Sequence, residues 1–554
     1  MIENSGFYSF EKSKSGEIVP LIEGRSLHSL IDPKREALRL ISTIKEGTGF
    51  LVFFGLGGGF LPNAALEETD AHIIVIDYNR KGISELFSSI DFSYLLKNER
   101  FSFLDCPSNE EIKAFILENY KPTLFGGIQV IPLRARVEIE KPLFDAAAAS
   151  VQQAIDIVSG DYTVQSHFGK RWFNNIIRNI AKNKELFTII KMPVNEAAII
   201  AAGPSLDSQL QEIKKLKARN VFIISTDTAL PVLAHNEIIP DAVVSIDCQH
   251  ISYYHFLYCS LSEKTRCDNR GNIPLFIDLA SPPLLSRLKG FTPVFFSSSH
   301  PLARYFSRDL LPFIDTSGAN VTYACLSVAE YLQRAANGQS LRNHDAKRVH
   351  LFGADFSYIN SRSYARGTYI FPHFHKRQNR LSPLEALFSG FLYRSPFLVK
   401  NNEQYYETSS LRFYRKKFEE KASMMDAEII PAKGFGAPIT INREQLAENN
   451  GQRTTDKEQL SENNYQRMII REQLSENDYV RFLEKYKKDI AALPEAVNRS
   501  NYLKTLNEIK RQVFTTLLPY MAAVRKREPG LTLKELICEA KKRCVKEIER
   551  VIGE

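Results

Sequence analysis

The stretch from residue 196 to residue 250 constrains the fold more than any other part of this chain. It contains three short apolar runs of the kind that form buried strands, at residues 197–201, 221–225 and 242–246. A helical pattern separates the first two runs, and acidic residues, Asp227 and Asp247, follow the second and third. Strands that alternate with helices form parallel sheets, which bind ligands beyond the carboxyl ends of their strands. The stretch therefore predicts an α/β domain with its site at this edge.

The first strand of this stretch is followed by the turn Gly203-Pro204-Ser205. A tight turn before a helix presents free backbone N–H groups, here together with a hydroxyl group, and this arrangement suits an anion such as phosphate. The alternative is a helix cap in which Ser205 or Asp207 satisfies the first helical turn and no ligand is bound. Because two other strand ends at the same edge carry acidic residues, the pattern favours a ligand site.

The length and composition predict a cytoplasmic protein of roughly two or three domains. The chain has 554 residues, of which 44% are hydrophobic and 25% charged, and its net charge of +8 includes no long Lys/Arg block. Nucleic acid is therefore not indicated as a partner, and an anionic small substrate accounts equally well for the excess of cations.

The seven cysteines lack CxxC spacing, which favours a reducing compartment and no zinc site. No apolar run reaches the roughly 18 residues of a membrane span. The oligomeric state is not indicated.

An N-terminal segment shows a second pattern of the nucleotide-binding type. A predicted strand at 50–54 runs into the glycine-rich turn 55–59, a helix from Leu61 and a further strand at 72–76. The acid Asp77 follows that strand, where it would meet a ribose hydroxyl. The pattern resembles the first motif of S-adenosylmethionine-dependent methyltransferases as much as a dinucleotide fold. The alternative is a Rossmann-like structural domain without a cofactor, since glycine-rich turns occur wherever a helix packs close to a strand.

The patterns divide the chain into four segments. They are a Rossmann-like N-terminal domain at 1–143, a helical connector at 144–195, a central α/β domain with a parallel sheet at 196–400, and a helical C-terminal region at 401–554. The last contains a tandem repeat at 443–480, REQLAENNGQ, KEQLSENNYQ and REQLSENDYV, with a period of 14 residues. Fourteen residues are two heptads, but the polar ENN and END segments favour an expanded or frayed-helical insertion over a coiled coil.

Downstream of the opening stretch, the same edge gains further polar residues. Strands are predicted at 274–278, 293–296 and 348–352. The last strand is followed by Asp355, a third acid at a strand end, and by a tyrosine-rich segment that leads to His373. These residues extend the predicted site along the carboxyl edge of the sheet.

Five segments in order resemble one known family. They are GPSLD at 203–207, TDTAL at 226–230, PDAVVSID at 240–247, SGANVTYACLSVA at 317–329 and HLFGADFSY at 350–358. They look like the motility-associated factor (Maf) flagellin glycosyltransferases, whose core is also called the pterin-diphosphokinase-like domain. The resemblance covers residues 30–400 and is strongest over 197–370.

The resemblance implies a sialyltransferase-like central domain and a transfer reaction. A nonulosonic acid, such as pseudaminic or legionaminic acid, would pass from its CMP-activated form to Ser or Thr of flagellin. The donor substrate is then a CMP-activated sugar, and the partner is flagellin. Departure of CMP from a tertiary anomeric centre passes through an oxocarbenium-like state, so the protein has to neutralise the leaving phosphate and deprotonate the acceptor hydroxyl.

Site residues follow from the same resemblance, motif by motif. The residues implied to bind the nucleotide are Gly203, Pro204, Ser205, Asp227, Thr228, Asp247, Gln249, Ser317, Gly318 and Asn320. The residues implied to face the phosphate or the transferred sugar are Tyr358, Tyr364, Arg366 and Tyr369. The chemistry of the transfer adds the candidates for the catalytic residues, including the base: Asp247, Asp355 and His373, of which His373 lies outside the motifs of the family.

Two other functions fit the same residues. One is a diphosphokinase that resembles the archaeal hydroxymethylpterin enzyme, in which Asp227 and Asp247 would hold Mg²⁺ against the phosphates of ATP. The extra N- and C-terminal regions suit a protein acceptor better than a free pterin. The other is a non-catalytic chaperone or scaffold that binds flagellin. The sequence leaves the dependence on metal open.

Overall fold

The computed structural model of the chain describes residues 7–78, 82–182, 194–257, 272–307, 311–337, 347–360, 362–394, 398–401, 405–441, 476–495 and 502–553. The predicted tandem repeat therefore lies outside the described residues as far as residue 475. Within the described ranges, no helix is both long enough and apolar enough to cross a membrane.

The chain divides into two compact units. Unit 1 comprises Met1–Lys170 and Tyr486–Lys546, and unit 2 comprises Arg171–Lys485 and Glu547–Glu554. This division differs from the four predicted segments, because the C-terminal helices are shared between the units instead of forming a region of their own. The predicted connector is one long helix, Lys141–Lys182, which contributes residues to both units.

Unit 1 contains a small antiparallel sheet and a parallel sheet. The antiparallel sheet consists of Ser9–Lys12 (β1), Ile18–Ile22 (β2) and Arg25–Ser26 (β3). The parallel sheet consists of Thr48–Phe54 (β4), His72–Asp77 (β5), Phe101–Asp105 (β6) and Gly127–Pro132 (β7), in the order β6-β5-β4-β7. The predicted order of strand, glycine-rich turn, helix and strand is present in β4, helix Phe60–Glu68 and β5.

The described helices of unit 1 lie between and after these strands in the sequence. They are Pro33–Ile41, Phe60–Glu68, Ile83–Ser89, Ser93–Leu96, Asn109–Asn119, Pro122–Phe125, Arg134–Ile139, Tyr502–Thr505 and Glu508–Arg527, together with parts of Lys141–Lys182, Glu476–Ala491 and Leu533–Gly553. Residues on both faces of β4 are buried, Leu51 and Phe53 on one face and Phe50 and Val52 on the other. This explains why the strand is a continuous apolar run with no polar alternation.

The C-terminal helices pack within unit 1 and are part of its core. Helix Glu508–Arg527 buries Phe514, Leu517 and Met521. It approaches helix Lys141–Lys182 so closely that a Cβ atom on Gly169 would overlap the carbonyl oxygen of Pro519. The sequence patterns predict these helices but not this packing, because the residues in contact are about 350 positions apart and neither glycine nor proline indicates a partner.

Unit 2 is built on seven parallel strands and a small antiparallel sheet. Its described strands are Glu196–Ile200 (β8), Phe222–Thr226 (β9), Ala242–Ser245 (β10), Ile273–Asp278 (β11), Phe291–Phe296 (β12), Arg348–Phe352 (β13), Tyr358–Ile359 (β14), Val399–Asn401 (β15), Tyr405–Glu407 (β16) and Glu428–Pro431 (β17). The parallel sheet has the order β12-β11-β10-β9-β8-β13-β17, and β14, β16 and β15 form the antiparallel sheet. All six strands predicted in this unit are present. The sequence patterns miss β14, β15 and β16, which have two or three residues each, and β17, which has four.

The described helices of unit 2 cover both faces of the parallel sheet. They are Leu206–Ala218, Leu230–His235, Ile251–Leu257, Pro301–Ser307, Val321–Asn337, Ile370–His375, Leu384–Leu392 and Ser409–Met424, with a 3₁₀ helix at Pro283–Arg287. Along β8, Ala197 and Ile199 join one buried cluster, and Ala198 and Ile200 join another on the opposite face. The sheet is therefore the middle layer of an α/β/α arrangement, which leaves the ends of the strands as the place for a site.

The close approach of the two helices in unit 1 gives a test of how the C-terminal helices pack. We expect Gly169→Ala to lower the stability of the protein by about 2 kcal/mol, because the new methyl group meets backbone atoms that cannot move aside. The measurement is the urea midpoint followed by far-ultraviolet circular dichroism.

Gly160 is a matched control, since it lies on the same helix and a Cβ atom there would have no heavy atom within 4 Å. We expect Gly160→Ala to leave the midpoint unchanged or to raise it, because alanine favours helix by up to about 1 kcal/mol. Equal effects of the two substitutions would contradict the packing described for Gly169 and Pro519.

Candidate functional site

The order of the strands in unit 2 reverses between β8 and β13. The chain runs from β8 outward through β9 to β12, then returns to place β13 on the other side of β8. In open α/β sheets, ligands bind in the crevice that such a reversal opens at the carboxyl ends of the strands. The turn Gly203-Pro204-Ser205 follows β8 at this point, and Gly353 and Asp355 follow β13.

In this protein the two turns at the reversal are bonded to each other. The N–H group of Ala201 donates to the carbonyl of Phe352 at 2.9 Å, and that of Gly203 donates to the carbonyl of Gly353 at 2.8 Å. A Cβ atom on Gly203 would overlap both the Gly353 carbonyl and the Asp355 carboxylate. Glycine is therefore needed at position 203 so that the two backbones can approach each other.

The carboxylate of Asp355 takes the position predicted for a phosphate. The N–H group of Ser205 donates to Asp355 Oδ2 at 2.8 Å, at the start of helix Leu206–Ala218. Asp355 is 6% exposed, and burial raises the pKa of its carboxyl group, partly offset by the hydrogen bonds from Ser205. An internal anion thus satisfies the end of the helix that the sequence assigns to a ligand.

A segment that follows β17 lies over the same turn. The N–H group of Phe435 donates to Ser205 Oγ at 3.0 Å, and the N–H group of Ala437 donates to the carbonyl of Asp355 at 3.0 Å. Beside Asp355 the segment encloses a cavity of about 160 Å³. Ligand sites for small molecules usually measure about 300 Å³ or more, so this space does not admit a nucleotide as it stands. The prediction of Asp355 as a catalytic residue gains no support from this placement.

Asp207, in the first turn of the helix, is bonded to the segment that follows β13. Asp207 Oδ2 accepts a bond from the Arg362 guanidinium at 2.7 Å, and Asp207 Oδ1 accepts from the backbone N–H of Arg366 at 2.9 Å. The side chain of Arg366 is exposed. Asp207 therefore fixes the segment that follows β13 against the first turn of the helix, and the structure uses the backbone of Arg366 for this purpose.

Two acids and two tyrosines come together further along the same edge. Asp227 follows β9, Asp247 follows β10, and Tyr364 and Tyr369 lie on the segment after β13. The rings of the two tyrosines have centroids 6.4 Å apart. With His255, whose ring centroid is 4.6 Å from that of Tyr369, these residues are called the acid–tyrosine cluster below.

Electrostatics connects the members of the cluster. Burial, followed by the charges of Asp247 and Asp227, raises the pKa of Tyr369. Burial is also the main cause of the raised pKa of Tyr364, to which both carboxylates contribute. The two phenols therefore stay protonated at neutral pH and can donate hydrogen bonds to an anion.

The two acids of the cluster are held by their own loops. Asp227 Oδ1 accepts from the N–H group of Thr228 at 2.7 Å, and Asp227 Oδ2 accepts from the Ser245 hydroxyl at 2.7 Å. Asp247 Oδ1 accepts from the N–H group of Gln249 at 2.9 Å. Burial raises the pKa of Asp247, with a smaller contribution from the charge of Asp227. The hydroxyl group of Thr228 also donates to Asp227 Oδ1, at 3.1 Å.

Two asparagines of the long helix hold the loops behind the cluster. Asn175 donates to the carbonyls of Cys248 and Ala280, at 3.1 and 2.8 Å. Asn179, one helical turn later, donates to the carbonyls of Leu279 and Ser281, both at 2.9 Å. These bonds satisfy backbone groups at the ends of β10 and β11, and they fix the loop that carries Asp247.

A tyrosine and an arginine from the later part of the chain border the cluster. The charge of Asp247 reaches Tyr414, whose pKa is raised mainly by burial. Burial likewise raises the pKa of Tyr358, and the positive charge of Arg394 opposes this rise. The charge of Arg394 also reaches Tyr369. Its guanidinium lies 4.3 Å from the ring centroid of Phe391 and is exposed, and among the described residues no carboxylate pairs with it.

The turn at 317–320 precedes helix Val321–Asn337. Asn320 caps helix Val321–Asn337, since its side-chain oxygen accepts from the N–H group of Tyr323 at 2.9 Å and its amide donates to the Gly318 carbonyl at 2.8 Å. Ser317 bonds to the Tyr323 hydroxyl at 3.2 Å. Burial, with a contribution from the charge of Asp227, raises the pKa of Cys325 in the second turn of this helix. A helix cap accounts for these residues, and their predicted contact with a nucleotide stays a prediction.

His373 is one of the three predicted candidates for the base. It is exposed on helix Ile370–His375, and the ring contact found for it among the described residues is with its neighbour Phe374. The sequence patterns miss His255, Arg394 and Tyr414. His255 follows Asp247 by only eight positions in the sequence, so its spacing offered a signal, whereas nothing local distinguishes Arg394 or Tyr414.

The glycine-rich turn of unit 1 is filled by side chains of its own unit. The N–H group of Leu56 donates to Asp77 Oδ2 at 2.7 Å, and that of Gly58 donates to His28 Nε2 at 2.9 Å. Asp77 is fully buried and pairs with Arg136 at 2.9 Å. The predicted role of Asp77 on a ribose hydroxyl is therefore replaced by an internal ion pair. This arrangement supports the alternative of a structural Rossmann-like domain.

The cluster offers two carboxylates, Asp227 and Asp247, as possible ligands of a magnesium ion. Within the described part of the chain, no group of three or more His, Cys, Asp or Glu side chains is arranged to hold a metal ion. Mg²⁺ is, however, often held by one or two carboxylates together with substrate phosphates. Asp227 and Asp247 fit that arrangement if a nucleotide supplies the remaining ligands.

Comparisons with known proteins place this site in a family context. Residues 171–361 match the family described as MptE-like, 6-hydroxymethylpterin diphosphokinase MptE-like. That region includes Asp227, Asp247 and His255 but ends before Tyr364 and Tyr369. The solved structure of the MAf glycosyltransferase from Magnetospirillum magneticum AMB-1 has the same fold, with a TM-score of 0.54 and 14% sequence identity. The match covers 99% of this chain and 92% of that one.

Two uncharacterised proteins of Treponema pallidum (strain Nichols) are similar in sequence. One is 32% identical over 177 residues, which are 31% of this chain and 83% of that protein. The other is 32% identical over 162 residues, which are 28% of this chain and 54% of that protein. The chain belongs to the family of the first of these treponemal proteins.

Proposed function

We propose that this protein is a glycosyltransferase that moves a nonulosonic acid from a CMP-activated donor to Ser or Thr residues of flagellin. The observation that carries the proposal is the acid–tyrosine cluster, which lies at the carboxyl ends of β9 and β10 with Arg394 at its border. It combines hydrogen-bond donors, a cation and carboxylates in one place, as a reaction that separates an anionic leaving group from a cationic sugar requires.

The leaving phosphate is the first requirement of this chemistry. Tyr364 and Tyr369 keep their protons at neutral pH because burial and the neighbouring carboxylates raise their pKa values. Their hydroxyl groups therefore donate to a phosphate, and the guanidinium of Arg394 supplies positive charge. Stacking on Phe391 orients that guanidinium before a ligand arrives, which reduces the entropy lost on binding.

The sugar is the second requirement. As CMP departs, positive charge develops on the anomeric carbon and its ring oxygen, and nearby carboxylates stabilise such charge. Asp247 is the better placed of the two acids, because Asp227 already accepts bonds at both of its carboxylate oxygens. In this proposal Asp227 holds the loop and faces the nucleotide, and Asp247 faces the sugar.

The extent of the fold supports a protein acceptor. The likeness to the Magnetospirillum glycosyltransferase extends over 99% of this chain, well beyond residues 171–361 of the MptE-like core. A free pterin would not require unit 1 or the segment that carries Tyr364, Tyr369 and Arg394. Flagellin is the acceptor that the resemblance to the Maf proteins suggests.

A Mg²⁺-dependent diphosphokinase is the second candidate, and the match of residues 171–361 to the MptE-like family favours it. Asp227 and Asp247 would hold the ion, which would draw charge from the phosphates of ATP. The tyrosines and Arg394 would then bind the same phosphates. The two candidates therefore differ in nucleotide and in metal dependence.

Isothermal titration with CMP and with ATP, each with and without Mg²⁺, separates these candidates. We expect CMP to bind without Mg²⁺, and Asp247→Asn to change its affinity because the carboxylate belongs to the acid–tyrosine cluster. Asp426→Asn is the matched control, since it makes the same change on an exposed side chain before β17, at the opposite edge of the sheet. Binding of ATP only in the presence of Mg²⁺, with no binding of CMP, would contradict the glycosyltransferase and favour the diphosphokinase.

Arg394 gives a second prediction. Arg394→Gln should weaken binding of CMP on the order of tenfold, because a hydrogen bond to a charged group contributes about 1.5 kcal/mol or more. The loss should shrink at high salt, where the wild-type affinity also falls. Arg380→Gln, which removes an exposed arginine from a turn, is the control. Equal affinities of the two variants at low salt would exclude Arg394 from the anion site.

A further inference from the structure

His255 lies in the acid–tyrosine cluster and has no place in the roles assigned above. It belongs to helix Ile251–Leu257, which begins directly after the loop that carries Asp247. Two bonds of Ser252 tie that helix to the loop, from its N–H group to the Gln249 carbonyl and from its hydroxyl to the Asp247 carbonyl, both at 3.2 Å. The imidazole and the Asp247 carboxylate are therefore held on one rigid segment.

The imidazole of His255 is buried with one nitrogen unsatisfied. The residue is 6% exposed, and its Nδ1 atom is enclosed without a hydrogen-bond partner. The ring stands at 83° to the ring of Tyr369, with centroids 4.6 Å apart. Buried polar atoms in native proteins are nearly always paired, and an exception calls for an explanation such as a catalytic role.

The negative charge near His255 comes from Asp247, and the neighbouring elements described below add little charge. Asp247 and the imidazole interact electrostatically, and the interaction favours the ionised form of Asp247. Helix Leu230–His235, which packs against helix Ile251–Leu257, contributes one titratable group, His235, and that side chain is exposed. Strand β12 contacts the helix through Phe291 and has no charged residue. Among these elements, Asp247 supplies the negative charge nearest to His255 in the sequence, and Tyr369 contacts the imidazole ring.

We propose that His255 is the general base of the transfer reaction and that Asp247 stabilises the imidazolium which results. The inference rests on the proposed function, because it requires an acceptor hydroxyl. As the O–H bond of the acceptor breaks, its proton passes to Nδ1, and the oxygen forms a bond to the anomeric carbon. The bond from that carbon to the phosphate oxygen breaks, and its electron pair leaves with CMP. The acceptor hydroxyl is the partner that Nδ1 lacks.

The other candidates for the base are less well placed. The Asp355 carboxylate is bonded to Ser205 and covered by the segment after β17. His373 is exposed on another helix. Asp247 remains a neighbour of the imidazole, and its negative charge stabilises the imidazolium as well as the positive charge that develops on the sugar.

The test compares His255→Phe and His255→Gln in the full chain, with CMP-pseudaminic acid as donor and flagellin as acceptor. Phenylalanine keeps an aromatic ring against Tyr369 and removes both nitrogens, and glutamine keeps polarity without a base of the right strength. We expect kcat for CMP release to fall at least 100-fold in both variants, while the Kd for CMP changes less than threefold. The wild-type kcat should fall as the pH is lowered and the base takes up a proton, and the residual activity should lack this dependence.

Rescue of His255→Ala by added imidazole distinguishes a general base from a residue that only packs, because free imidazole can replace the lost base but not the lost packing. Partial recovery of kcat, greater at a pH where free imidazole is neutral, is expected. His235→Gln, on the neighbouring helix, is the matched control and should behave as the wild type. A kcat within threefold of the wild type in both His255→Phe and His255→Gln would overturn the assignment. A wild-type protein that releases no CMP would instead contradict the proposed function, and the role of His255 with it.

Discussion

The hydrogen bond from the Ser205 N–H group to the Asp355 carboxylate determines how unit 2 presents its site. It closes the crevice at the reversal of strand order, where proteins of this architecture often bind phosphate. The closed crevice depends on Gly203, since any side chain there would push the turns apart. Along the same edge, Asp227 after β9 and Asp247 after β10 lie near Tyr364 and Tyr369 of the segment after β13.

In both units, the turn after a central strand donates a backbone hydrogen bond to an internal acid. In unit 1, the N–H group of Leu56 after β4 donates to the buried Asp77, just as that of Ser205 after β8 donates to Asp355 in unit 2. In each case an acid from a neighbouring strand end satisfies the backbone that a nucleotide would otherwise meet. In unit 1 the acid is also paired with Arg136. In unit 2 the acids Asp227 and Asp247 lie near tyrosines and Arg394, and the proposed function assigns the chemistry to them.

The sequence predicts most of the fold and part of the site. Strands such as β8 and β13 are short apolar runs. Because a strand that is buried on both faces is apolar throughout, it can be recognised from the local sequence. The role of Ser205 is not local, because its partners Asp355 and Phe435 are 150 and 230 positions away. The grouping of Asp227 and Asp247 follows from the shared edge of parallel strands, whereas the approach of Arg394 depends on tertiary packing. His373, one of three candidates for the base, is exposed in the structure, whereas His255 is buried and interacts with Asp247.

A crystal structure of the full chain with CMP tests this account most directly, because it locates the phosphate. The account predicts electron density for the phosphate beside Tyr364, Tyr369 and Arg394, with the Ser205–Asp355 bond retained. A phosphate seated on the Gly203-Pro204-Ser205 turn, with Asp355 displaced and the segment after β17 moved away, would contradict it.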